Sequence, residues 1–78
     1  MAYIKSIDDK HYVNHKFVNA FTVEKMQVTF RPYALFALMD NGSQIRLATY
    51  DTLLAANQEI ERIINEAYIE KKMIVEVK

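Results

Sequence analysis

The sequence predicts an α+β domain: an antiparallel sheet of four to six short strands, one long amphipathic helix packed on one face, and a C-terminal strand. Three observations carry that expectation. Up to Tyr50 the chain consists of short β-branched and aromatic segments separated by turn formers, and after Tyr50 the apolar period changes to steps of three and four. Asp40-Asn41-Gly42-Ser43 stands between two apolar runs, a strong hairpin signal. A length of 78 residues, with a single glycine, a single proline and no repeat or low-complexity tract, suits one compact domain over residues 1–78.

Residues 2–7, AYIKSI, alternate Tyr3, Lys5 and Ile7 against Ile4 and read as a short strand. Asp8-Asp9-Lys10 supplies a polar turn, and His11 to Asn14 reads as a second short strand. Between Asn14 and Asn19 no period emerges, because Phe17 and Val18 are flanked by turn formers. Phe21 to Val28 has the β-branched and aromatic content of a strand, which Arg31-Pro32 then ends, since proline fixes its own φ and restricts the residue before it.

YALFALM, residues 33–39, is an unbroken apolar run of central-strand length, so its register stays open. Asn41-Gly42 suits the two left-handed positions of a type I′ turn, and SQIRLATY returns as the partner strand. Leu53, Ala56, Ile60, Ile63, Ile64 and Ala67 then form one stripe of a helix running from about Thr52 to Glu70, capped by Asp51 or Thr52. Glu59, Glu61, Arg62, Glu66 and Glu70 fall on its solvent side, and MIVEVK reads as the terminal strand. The expected core is Ile4, Phe21, Val23, Leu35, Phe36, Leu38, Ile45, Leu47, Ala56, Ile60, Ile63, Ile64 and Ala67.

Ten basic and ten acidic side chains cancel, which argues against broad electrostatic attraction to nucleic acid or anionic lipid. Residues 1–39 hold five basic and three acidic groups, residues 40–78 five and seven, so neither half is a charged tail. The absence of cysteine excludes a disulfide framework, a thiolate nucleophile and a cysteine zinc site. The start MAYIKS lacks a basic region followed by an apolar run, and no apolar stretch approaches the roughly 20 residues that span a bilayer; a cytoplasmic protein without a membrane anchor is expected.

Catalytic chemistry finds little support. His11 and His15 are four apart, a spacing that serves a metal on a helix, but they bracket the β-like Tyr12-Val13. Asp8/Asp9 and Glu59/Glu61 lie close in sequence, with no companion groups to form a substrate cradle around two carboxylates. Ser6 and Ser43 belong to turns, as does the sole glycine, so there is neither a nucleophilic triad nor a glycine-rich phosphate loop. No catalytic residue, metal ligand or cofactor is assigned, and a small enzyme or metal-binding protein is the least favoured class.

The chain order of short strands, YALFALMDNG, IRLATYDT and the helix AANQEIERII resembles small uncharacterised proteins of Gram-positive bacteria and their phages or plasmids. In those a strand meander is followed by one helix, often with tyrosine, aspartate and threonine at the junction, as Tyr50-Asp51-Thr52 stand in this chain. The resemblance covers about residues 20–70 and implies the fold, without an activity, cofactor or substrate. This chain departs from the pattern in opening its helix with Leu53-Leu54 where glutamates are common, and in its MIVEVK tail.

The functional expectation is a non-enzymatic domain that acts by protein contact and self-associates as a homodimer, with a further protein partner unidentified. Leu54 and Ile69 project away from the centre of the helical stripe, and Met73, Ile74, Val75 and Val77 form a strand able to pair across subunits, so these six are the candidate interface. The competing expectation is a nucleic-acid module that stacks bases on Tyr33 and Tyr50 beside Arg46, with Tyr3 on the same face and Lys5, Lys16, Lys25 and Arg31 neutralising phosphates. Scattering of the basic residues among Asp8, Asp9 and Glu24 disfavours it.

Overall fold

The computed structural model describes residues 2–78 and places six strands and one long helix in the α+β arrangement that the sequence predicts. In chain order the elements are β1 (Tyr3–Lys5), β2 (Tyr12–Asn14), β3 (Val18–Lys25), β4 (Tyr33–Met39), β5 (Gln44–Tyr50), α1 (Leu53–Ile64) and β6 (Ile74–Glu76). A short 3₁₀ turn, His15–Phe17, joins β2 to β3, and α1 continues into a π-helical turn over Asn65–Ile69. The strands form two sheets rather than one, ordered β2-β1-β6 and β3-β4-β5. The larger is antiparallel throughout, whereas in the smaller β6 runs parallel to β1.

Register resolves the parity that the apolar run left open. Leu35 pairs with Val23 and Ala48, and Ala37 with Phe21 and Ile45, so these side chains share the face covered by α1 and the smaller sheet. Phe36 and Leu38 point to the other face, opposite Thr22 and Ala20, and leave the core. On β5 one extra residue, Leu47, bulges between the pairs Leu35–Ala48 and Phe36–Arg46, which lets both Leu47 and Ala48 reach the interior. Ile4, Val13 and Val75 from the smaller sheet and Ile63 and Ala67 from the helix complete the core. Ile64 does not join it: one position round from Ile63, it lies at the rim and is 40% exposed.

The β4–β5 turn differs from the expected type I′. Met39 N–H donates to Ser43 O at 2.9 Å and Gly42 N–H to Met39 O at 2.9 Å, which closes a three-residue loop. Only its last residue, Gly42, has positive φ (88°), while Asn41 uses its side chain, accepting from Ser43 N at 3.0 Å and Ser43 Oγ at 2.7 Å. Asparagine therefore satisfies the turn by hydrogen bonding rather than by a left-handed backbone. Thr52 is the helix cap, its Oγ1 accepting from Ala55 N at 3.1 Å. At the other end Lys71 takes a left-handed conformation (φ 57°), and Lys72 N–H donates to Glu66 O at 2.9 Å to close the helix.

Candidate interaction surface

Residues 73–78 are built into their own subunit. β6 lies beside β1 with Tyr3–Ile74, Ile4–Val75 and Lys5–Glu76 in register, and Val77 N–H extends the pairing to Lys5 O at 2.9 Å. Val75 and Val77 consequently face the core and are buried, which corrects their assignment to a contact surface: a period of two sends alternate side chains of a strand inward. Ile74 and Met73 remain exposed, at 56% and 78%.

Charged side chains on the helix hold this strand in place. Arg62 donates to Glu59 through Nε (2.8 Å) and Nη2 (2.6 Å), to Glu76 O through Nη2 (2.5 Å), and to Glu66 through Nη1. Glu59 also accepts from the backbone N–H of Lys78 at 2.6 Å. Glu59 is thereby buried, although its helical position places it on the solvent side by periodicity alone; the returning C-terminal segment covers that flank. Hydrogen bonding to Glu59 raises the Arg62 pKa further, and the Lys72 ammonium, followed by Arg62, holds the Glu66 carboxyl below its ordinary value.

Outside this clamp, the outer face of the smaller sheet carries Tyr3, Tyr12 and Ile74 beside the charged pair Lys5 and Glu76. Tyr3 and Ile74 are cross-strand neighbours there, Tyr3 N–H donates to Met73 O at 2.8 Å, and Tyr12 stands opposite Lys5. Lys5 is held by Asp9 at 2.9 Å and Glu76 at 3.2 Å, and these partners, Asp9 first, raise its pKa. Ile69, 71% exposed, stands at the helix exit that leads into Met73. Leu54 is exposed too, but it lies in the first helical turn, about 22 Å along the axis from Ile69, and does not share this surface. Alternation against Ile4 places Tyr3 outside as expected, on the smaller sheet and so apart from Tyr33 and Tyr50, while Tyr12 is a contact candidate that the sequence reading did not name.

The nucleic-acid trio is divided. Tyr33 and Tyr50 are direct cross-strand partners on the helix-covered face, whereas Arg46 is in register with Phe36 on the opposite face. Three side chains on two faces of one sheet cannot form one stacking platform, which corrects that grouping. The Tyr50 hydroxyl is buried without a hydrogen-bond partner, and burial, followed by the nearby Glu59 charge, pushes its pKa up to about 12. Neither histidine is disposed toward a metal: His15 Nδ1 lies 3.0 Å from the backbone N of Ala2, and His11 belongs to the β1–β2 turn, its N–H donating to Ser6 Oγ at 3.1 Å. Among the described residues no group of three histidine, cysteine or acidic side chains could hold a metal ion, and no helix is long and apolar enough to cross a membrane.

A groove of about 410 Å³ opens beside the β5 bulge. Ile7 and Asp8 line one wall, the β3–β4 loop the other through Met26, Val28, Phe30 and Arg31, and residues 46–49 form the floor. Asp8 accepts from Ser6 Oγ at 2.6 Å and Lys10 N at 3.1 Å, bonds that hold its carboxyl below the ordinary value in that order. Compared with family models, with curated proteins and with solved structures, the chain shows no match.

Proposed function

We propose that this is a non-enzymatic domain acting by protein contact, and that it pairs with a second copy of itself through the outer face of the smaller sheet. The observation that carries this reading is the exposed cross-strand pair Tyr3–Ile74, with exposed Met73 just before β6, its carbonyl accepting from Tyr3 N–H, and exposed Ile69 at the helix exit that leads into it. Single exposed apolar residues are ordinary, but a contiguous group on a sheet face is the kind of surface that association covers. The Lys5–Glu76 pair borders it and supplies both signs of charge at its rim, an arrangement that fixes register in contacts between like chains.

The experiment is a dilution series followed by amide chemical shifts. Dissociation is expected to move the resonances of Tyr3, Ile69, Met73 and Ile74, with Leu54 unchanged. Shifts confined to Leu54 and its neighbours, or none across the series, would contradict the assignment.

A further inference from the structure

We propose that the groove beside the β5 bulge is a second, separate binding site, and that it takes an acidic peptide segment with apolar side chains from a partner protein. The chain contains three arginines, and their surroundings differ. Arg62 is saturated by Glu59, Glu66 and a backbone carbonyl. Arg31 and Arg46, fifteen residues apart in sequence, both line this groove, and neither forms an ion pair with any described residue. Two guanidiniums line one groove whose single carboxylate, Asp8, is already engaged by Ser6 Oγ and the Lys10 N–H, and such a pair is a recognition element for carboxylates supplied from outside.

The walls define the rest of the ligand. Ile7, Val28 and Phe30 are 46%, 50% and 76% exposed and line the groove together with Met26, so an occupant must bring apolar side chains of its own. Arg31 is held in a left-handed backbone conformation (φ 48°) ahead of Pro32, and its guanidinium carbon stands 5.3 Å from the centre of the Phe30 ring. That contact holds the cation against an aromatic ring that also lines the groove. One floor carbonyl is already engaged, since Ile7 N–H donates to Leu47 O at 2.9 Å. Only two cations, with the Asp8 carboxylate beside them, favour a peptide over a phosphodiester strand, whose binding rests on many phosphate contacts.

The probe is acetyl-Glu-Leu-Glu-Phe-Glu-amide, titrated into the full chain with amide chemical shifts as readout, beside the same peptide with glutamine in place of every glutamate. Saturable shifts are expected in residues 7–8, 26–31 and 46–49, with binding of the glutamine peptide weaker by about tenfold or more. The double variant Arg31→Gln, Arg46→Gln should lose affinity for the acidic peptide to the same extent while its thermal midpoint stays unchanged, because both side chains are exposed. Equal binding of the two peptides, shifts outside the groove, or no shift at millimolar peptide would overturn the proposal. Tighter binding of an eight-nucleotide oligothymidylate at the same residues would overturn it in favour of single-stranded nucleic acid.

Discussion

Around β6, Arg62 bonds three groups at once and ties helix to strand; around the β5 bulge, Arg31 and Arg46 stand beside apolar side chains and form no ion pair with a described residue. The two regions share their residue chemistry and differ in closure. At β6 the charges are half-buried, both ends of the chain meet in one sheet, and every bond serves the fold. At the groove both arginines are exposed and form no ion pair with a described residue. A cation that is saturated internally is a poor candidate for binding, and one that is unpaired beside an open apolar wall is a better one.

The comparison can be broken first at β6. Deleting residues 73–78 removes Val75 and Val77 from the core, each worth about 1.5–3 kcal/mol of burial, against a total stability of about 5–15 kcal/mol for a domain. The expected outcome is an unfolded chain by circular dichroism rather than a folded monomer, so truncation is not a clean test of self-association. A smaller insult is Arg62→Ala, which strands the buried Glu59 carboxylate and should cost about 3 kcal/mol in urea denaturation. Arg31→Ala and Arg46→Ala should each stay within about 0.5 kcal/mol of the native chain. A comparable loss from all three substitutions would erase the distinction between the regions.

Titration sharpens the same contrast. Glu66 has its folded pKa lowered by Lys72 and Arg62, so its contribution is present above the ordinary carboxyl value of 4.5 and is lost as pH falls through the folded value. Glu66→Gln should therefore flatten the acid limb of the stability profile. Tyr50 has its pKa raised from 10.0 to about 12, so its contribution is present below pH 10 and disappears as pH rises toward 12. Tyr50→Phe should flatten the alkaline limb, and at neutral pH it should stabilise by about 1 kcal/mol, because a buried hydroxyl without a partner is removed. The smallest effect is expected at Lys71, whose left-handed φ of 57° suits glycine; Lys71→Gly should raise stability by about 0.5 kcal/mol in urea denaturation.

Local periodicity made the helix and the β4–β5 hairpin legible, because each is written in neighbouring residues. Ala56, Ile60, Ile63 and Ala67 face the core as their spacing requires, and α1 with its π-helical extension spans the expected stretch. What was not legible depends on partners distant in sequence. Parallel pairing of β6 with β1 joins residues 71 apart at Lys5–Glu76, and no local pattern announces it. Burial of Glu59 follows from the same return of the C-terminus. The open parity of YALFALM was settled only when α1 and the smaller sheet covered Leu35 and Ala37. Residues 14–19, without a period of their own, became the end of β2, a 3₁₀ turn and the start of β3. Of the contact candidates, alternation could have separated Val75 and Val77 from Ile74, whereas convergence of Arg31 on Arg46 depends on the path of the β3–β4 loop.

Self-association through the outer face of the smaller sheet is tested most directly by light scattering on the native chain and on the Met73→Lys, Ile74→Lys double variant across one concentration series. The native chain is expected at about 18 kDa, twice its 9.1 kDa, and the variant at 9.1 kDa with an unchanged thermal midpoint. A native chain that stays at 9.1 kDa at every concentration, or a variant that keeps the doubled mass, would contradict it.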